Sequence, residues 1–233
     1  MRLLKIGVIL LLLLGSSCFA VDLPELSKCD VCTKVLKVSK KSLIANSRDS
    51  AVMVHSTSPW GKATGTGGYF TYKGRHLIIT ASHVIQAPMG VTIEAAGEYV
   101  TATVVYNDSI EDIAVLVIPE LETKKAIPLR VAPENSLEIS QEVFYSGHPN
   151  MDGLMTIAGA VMSITDYDDI FIDSYAWPGS SGSCVFDSKG RLVGVVSAIS
   201  IGETDGSHQI LENVVIVIPA WKIDLDSLDR NRW

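Results

Sequence analysis

Positive charge is in short supply in this sequence: 19 Lys and Arg stand against 26 Asp and Glu in 233 residues, a formal net charge of −7. A general nucleic-acid binder neutralises phosphates with clustered Lys and Arg, so no nucleic-acid partner is expected. Glycine and proline, 18 and 9 residues, are too few for a collagen-like or low-complexity chain. Charged residues make up 19% and hydrophobic ones 47%, which excludes a disordered protein. No repeat of 20–50 residues is visible, which disfavours propellers and solenoids. Helical periodicity is almost missing before Pro219. Beyond the first 20 residues no stretch is long and apolar enough to cross a bilayer, so no membrane span is expected.

Those first 20 residues, MRLLKIGVILLLLLGSSCFA, put Arg2 and Lys5 before an apolar run from Ile6 to Leu14 and then small residues. This is the pattern of a secretory signal, with cleavage expected after Ala20 and a secreted or periplasmic location. A lipid anchor on Cys18 needs a small-residue box after Leu14, and Gly15-Ser16-Ser17 is a poor version of one. Cysteine is sparse. After cleavage Cys29, Cys32 and Cys184 remain, and an exported chain favours a disulfide, either within Cys29-Asp30-Val31-Cys32 or from that pair to Cys184. A bridge near the N-terminus with Cys184 as a buried free thiol is the simplest arrangement. No ligand cluster for a metal accompanies these residues, and no cofactor is expected.

Residues 21–50 form a Lys-rich segment, a short helix or an extended arm with a solvated charged face, and a chain beginning near Ser50 is expected to keep its function. From residue 51 short β-type runs alternate with turn residues. Six are at 51–56, 68–72, 77–81, 91–95, 98–107 and 113–118; after a looser stretch with Pro128 and Pro133, six more are at 142–146, 155–163, 170–174, 183–187, 192–200 and 213–218. Lys73-Gly74 and Ser188-Lys189-Gly190 mark hairpin turns. The pattern predicts an all-β protein of two six-stranded antiparallel barrels, residues 51–125 and 126–220, whose closure removes exposed edges. A short C-terminal helix with Pro219 in its first turn is expected within the last residues, 221–233.

Three fragments carry chemistry. Thr80-Ala81-Ser82-His83-Val84 follows a strand, Asp112 opens the sixth run, and Trp177-Pro178-Gly179-Ser180-Ser181-Gly182-Ser183 forms a tight turn before another strand. Each alone has an ordinary structural reading as a bonded His, a turn Asp and a flexible Gly/Ser loop. Together they supply what a serine nucleophile requires: a base, an acid that orients the base, and backbone N–H groups for the developing oxyanion. His83 and Asp112 come from the first half and Ser181 from the second, so an active site in the cleft between the barrels is expected.

TASHV, DIAVL and PGSSGSCVFDSKGRLVGV resemble the His, Asp and Ser motifs of chymotrypsin-fold serine proteases, in particular the bacterial branch of HtrA-like and glutamyl-endopeptidase-like enzymes. GTGGYF (65–70) is similar to that family's GSGFI strand, and YSGHP (145–149) to its G-x-P turn. The resemblance implies an endopeptidase acting on protein or peptide substrates, with Ser181 as nucleophile, His83 as base and then acid, Asp112 as orienting carboxylate, and the N–H groups of Gly179 and Ser181 as oxyanion hole. A catalytically silent peptide-binding module of the same fold is the alternative. Activity is expected to rise with pH as the imidazole loses its proton.

The departures from the family matter as well. Ser180 stands where trypsin-like zymogens use an aspartate to receive a new N-terminus, so activation by N-terminal insertion is not expected. The substrate pocket is expected among Tyr175, Ala176, Trp177, Ser197, Ala198 and Ile199, all uncharged, which implies cleavage after small or medium uncharged residues. Recruitment of a charged side chain would need Asp173 or His208 to reach in. His55, His76 and His148 are assigned to structure.

Overall fold

The computed structural model describes residues 39–59, 61–86, 90–204 and 207–230. The predicted leader, the Cys29/Cys32 pair and most of the 21–50 segment lie outside these residues. Thirteen strands dominate: β1 (Ala51–Ser58), β2 (Gly61–Tyr72), β3 (Arg75–Thr80), β4 (Gly90–Ala95), β5 (Glu98–Asp108), β6 (Ile113–Ile118), β7 (Ile127–Pro128), β8 (Glu142–Gly147), β9 (Met155–Ile164), β10 (Ile170–Asp173), β11 (Cys184–Asp187), β12 (Leu192–Thr204) and β13 (Ser207–Pro219).

The first sheet runs β1-β4-β5-β6-β3-β2 and closes through pairing of β1 with β2, with β7 added in parallel beside β2. The second is a closed barrel in the order β10-β13-β12-β11-β8-β9. The protein therefore has two six-stranded antiparallel barrels in a chymotrypsin-like arrangement. The turns follow from local chemistry. Lys73 and Gly74, at φ of 47° and 78°, have the left-handed backbone that a two-residue hairpin with the right twist needs.

Several strands are apolar on both faces, and the cores explain why. In β3, Ile78 points into the first barrel while Leu77 and Ile79 point out; in β6, Leu116 points in while Ile113 and Val115 point out. The outward residues do not meet water. They pack with Phe70, Phe144, Phe186, Leu192, Val195 and Ile218 into a third core lying between the barrels. Phe186 lies at its centre, 6.2 Å from Phe70 and 6.1 Å from Phe144 by ring centroids. A strand buried on both sides reads as a continuous apolar run, as LIIT and IAVLVI do.

The structure changes three expectations. Of the short helix or arm expected within 21–50, Lys40–Ser50 is helix α1, N-capped by the Ser39 hydroxyl and running without a linker into β1. It is not a solvated appendage: Leu43 is buried in the inter-barrel core, the Ser47 hydroxyl donates to that of Ser146 at 2.9 Å, and Arg48 donates to Thr156 at 3.0 Å. Next, the Gly-rich residues before the second predicted run are paired with β1, so β2 begins at Gly61. Finally, Pro219 ends β13, and the C-terminal helix α2 (Leu225–Arg230) starts six residues later, after a 3-10 turn at Ala220–Lys222.

Candidate active site

His83 sits on a short 3-10 turn, Ser82–Ile85, at the end of β3. Asp112 opens β6, the neighbour of β3, so sheet pairing brings the two together from 29 residues apart. The Asp112 carboxylate receives the His83 backbone N–H at 2.8 Å through Oδ1 and the His83 Nδ1 at 2.8 Å through Oδ2. The Ser197 hydroxyl on β12 also donates to Oδ2. Burial raises the Asp112 carboxyl, but bonds from the His83 ring, the Ser197 hydroxyl and the His83 N–H outweigh it and hold the group below the ordinary carboxylate value. An ionised carboxylate only accepts, so Nδ1 carries a proton, and in the neutral ring Nε2 is then the acceptor. Asp112 has φ of 53°, a left-handed conformation held by these bonds and by the adjacent Glu111, which ion-pairs with Lys222 of the second barrel's C-terminal segment.

Ser181 lies in the loop between β10 and β11. Its hydroxyl is 3.5 Å from the Ser197 carbonyl, a weak contact, and it makes no hydrogen bond to His83. The loop is built around two glycines with left-handed backbone, Gly179 at φ 94° and Gly182 at φ 84°. A Cβ on Gly182 would lie 2.1 Å from the Thr66 carbonyl oxygen, and one on Gly179 would lie 2.5 Å from that of His148. The N–H groups of Gly179 and Ser181 donate to no acceptor among the described residues. Ser180, by contrast, is fully engaged. Its N–H donates to the Trp177 carbonyl at 2.8 Å and its hydroxyl accepts from the Trp177 N–H at 3.2 Å. Beside it the buried Tyr145 donates to the Tyr175 carbonyl; burial pushes its phenol up to about 12, with a smaller opposing effect from Ser180.

A cavity of about 330 Å³ opens next to Ser181, lined by Trp177, Pro178, Val196, Ser197, Ala198 and Ile199 together with Ala176, Ser180 and Ser181. Tyr175 departs from expectation. Its carbonyl is held by Tyr145, and its exposed ring stacks on Trp177, 6.0 Å apart and 12° from parallel, so it lies outside the lining. Asp173 is exposed on β10 and bonds Asn213; the side chain of His208 lies outside the described residues.

Two further histidines are bonded where they stand. His55 contacts Thr64 and Glu94, and His76 contacts the Tyr69 hydroxyl at 2.6 Å. Burial lowers the His148 imidazole and nearby Lys124 adds to the effect. Cys184 is a buried free thiol, and burial raises it far above the ordinary value. No group of three or more metal-ligating side chains occurs among the described residues. Pairing the motifs in sequence did not reveal Thr66, whose bonds reach both the Ser181 loop and the 147–151 turn; the only signal was its place inside GTGGYF.

Residues 65–195, more than half of the chain, match the trypsin-like peptidase domain family. The chain belongs to that family. Among curated proteins it is 31% identical over 147 residues to Protease Do-like 1, chloroplastic, of Arabidopsis thaliana, covering 58% of this chain and 33% of that one. It is 27% identical over 164 residues to Serine protease Do-like HtrA of Lactobacillus helveticus, covering 65% of this chain and 39% of that protein. The peptidase domain thus spans between a third and two fifths of the length of these relatives. Among solved structures, a protease from M. tuberculosis in its active form superposes with a TM-score of 0.64 at 23% identity, over 77% of this chain and 79% of that one. A serine endoprotease from Yersinia pestis gives 0.65 at 20% identity, over 83% and 68%. At these identities the structural likeness speaks to fold.

Proposed function

We propose that the protein is an exported serine endopeptidase working through Ser181, His83 and Asp112. The observation that carries this reading is the His83–Asp112 pair: a carboxylate held below its ordinary value and bonded to Nδ1, with Ser197 touching both that carboxylate and the Ser181 hydroxyl. In the proposed reaction, His83 Nε2 takes the proton of the Ser181 hydroxyl as its oxygen attacks the peptide carbonyl. The oxyanion is met by the N–H groups of Gly179 and Ser181, both without other acceptors among the described residues. Collapse expels the amine, which receives the proton from His83, and leaves an acyl group on Ser181. Water then attacks with His83 again as base and releases the acid. Ser180 is bonded within its own loop, which supports activity without a newly cut N-terminus. The uncharged cavity supports cleavage after small or medium uncharged residues. Residues 1–20 support export, with cleavage after Ala20.

One observation favours a peptide-binding module instead: the Ser181 hydroxyl leans toward the Ser197 carbonyl and not toward His83. Serine–histidine bonds are often long in unliganded enzymes and tighten with substrate. A fluorophosphonate probe decides between the readings. Covalent labelling of the folded wild type, lost in Ser181→Ala, is the expected result; an unlabelled wild type favours the binding module.

A further inference from the structure

Four hydrogen bonds converge on one fully buried residue of the first barrel, Thr66 on β2. Its N–H donates to the Ser181 carbonyl at 2.8 Å, and its carbonyl accepts the Thr80 hydroxyl at 2.7 Å, at the start of the His83 motif. Its hydroxyl donates to the Gly179 carbonyl at 2.8 Å and accepts the His148 N–H at 3.0 Å. The residues so held are the two whose N–H groups form the proposed oxyanion site, together with the turn packed behind them.

That turn acts on Gly179 directly. Asn150 donates its N–H to the Pro178 carbonyl at 2.6 Å, and Pro178 C=O and Gly179 N–H belong to one planar trans peptide. Fixing the carbonyl on Asn150 therefore fixes the Gly179 N–H in the opposite direction. Glycine at φ 94° opposes rotation of that peptide with no side chain of its own, so hydrogen bonds must supply the restraint. The Thr66 hydroxyl is the point where the restraints meet: it holds the far side of Gly179 and, through His148, the turn that carries Asn150.

We infer that Thr66 is a positioning residue for the oxyanion site, its hydroxyl joining the Gly179 loop to the 147–151 turn so that the Gly179 N–H faces the reacting carbonyl. The inference rests on the reading of Ser181 as nucleophile. Without the hydroxyl, the Gly179 carbonyl and the His148 N–H lose their shared partner in a buried place, and the peptide between Pro178 and Gly179 gains freedom to turn.

The test compares wild type with the near-isosteric Thr66→Val and the hydroxyl-retaining Thr66→Ser. In folded Thr66→Val, kcat for a peptide substrate should fall about 10- to 100-fold with KM within about twofold, at the lower edge of what losing an oxyanion donor costs. A peptidyl boronate, which places an oxygen in the oxyanion site, should lose affinity by a similar factor, while a cleaved product peptide binds as before. Thr66→Ser should recover most of the rate. If Thr66→Val fails to fold, Thr66→Ala takes its place in the same measurements. Wild-type kcat in the folded variant overturns the inference, as does a product affinity that falls in step with kcat, or a Thr66→Ser no better than Thr66→Val. Fluorophosphonate separates the two levels. A wild type that does not label overturns the Ser181 reading and this inference with it; a labelled wild type matched in rate by Thr66→Val overturns the inference alone.

Discussion

The two sides of the cleft are built on different principles. On the first-barrel side His83 follows β3 and Asp112 immediately precedes its ladder partner β6, and a carboxylate saturated with donors joins them, so most of their geometry is local to one sheet. On the second-barrel side Ser181 stands on a loop whose shape depends on two left-handed glycines and on bonds from segments distant in sequence, Thr66 and the 147–151 turn among them. The proposed base and its orienting carboxylate are thus set by strand pairing, whereas the loop of the proposed nucleophile is set by the docking of one barrel on the other. Substitutions on the first side should remove chemistry and spare the fold; those on the second should couple chemistry to packing.

The largest expected effect is Ser181→Ala, which should abolish covalent labelling and lower turnover by at least about 10³-fold while leaving the melting temperature within a few degrees. Asp112→Asn comes next. It keeps the shape but removes the charge that fixes the imidazole tautomer, and kcat should fall by about 10²- to 10⁴-fold with little change in KM. Gly182→Ala sharpens the comparison because it should break both properties at once. Its Cβ would lie 2.1 Å from both the Thr66 carbonyl oxygen and the Thr80 hydroxyl, so a loss of about 1–3 kcal/mol in stability should accompany loss of activity, read by chemical denaturation and by labelling rate. Leu43→Ala probes the packing side alone: about 2–3 kcal/mol of stability should go, with near-normal kcat in the molecules that remain folded. A chain beginning at Ser50 should be less stable still.

The smallest effect concerns acid. The Asp112 carboxyl titrates lower in the folded protein than in the unfolded chain, so its stabilising contribution is complete at neutral pH. It is lost only as pH falls below about 4 and through the folded-state value. Denaturation measured from pH 7 into that range should show a gap between wild type and Asp112→Asn that closes with acid; a constant gap would mean that the carboxylate adds nothing through its charge.

The same contrast separates what could be read in the sequence from what could not. All twelve barrel strands were legible because each alternates inward and outward residues or, between the barrels, is apolar on both faces. The His, Asp and Ser motifs were legible because their residue types are chemically specific. A short helix within 21–50 was one of two readings, but its docking was not legible, because besides Leu43 the residues helix α1 buries include Ser47 and Ser50, held by hydrogen bonds, which leave no apolar stripe. The start of β2 was hidden by glycines that exist for close approach: a Cβ on Gly65 would lie 2.7 Å from Val84 and 2.8 Å from the Ser181 carbonyl oxygen. Tyr175 was assigned to the pocket through the family pattern, whereas its exposed ring stacks on Trp177 and its carbonyl accepts from Tyr145, 30 residues away in the chain.

Helix α1 also sets an order of events during synthesis. It is made before the strands and leads directly into β1, yet the hydroxyl of Ser47 and the guanidinium of Arg48 bond to Ser146 and Thr156 of the second barrel. Leu43 waits for the turn at Gly190, and Ser47 for Ser146, 99 residues downstream. A ribosome making roughly 5–20 residues per second leaves these residues open for several seconds while the first barrel can already close. The helix therefore acts as a late latch: it is made before both barrels and is among the last of the described elements to be secured, and an interruption before the second barrel is complete leaves Leu43 without its partner at Gly190.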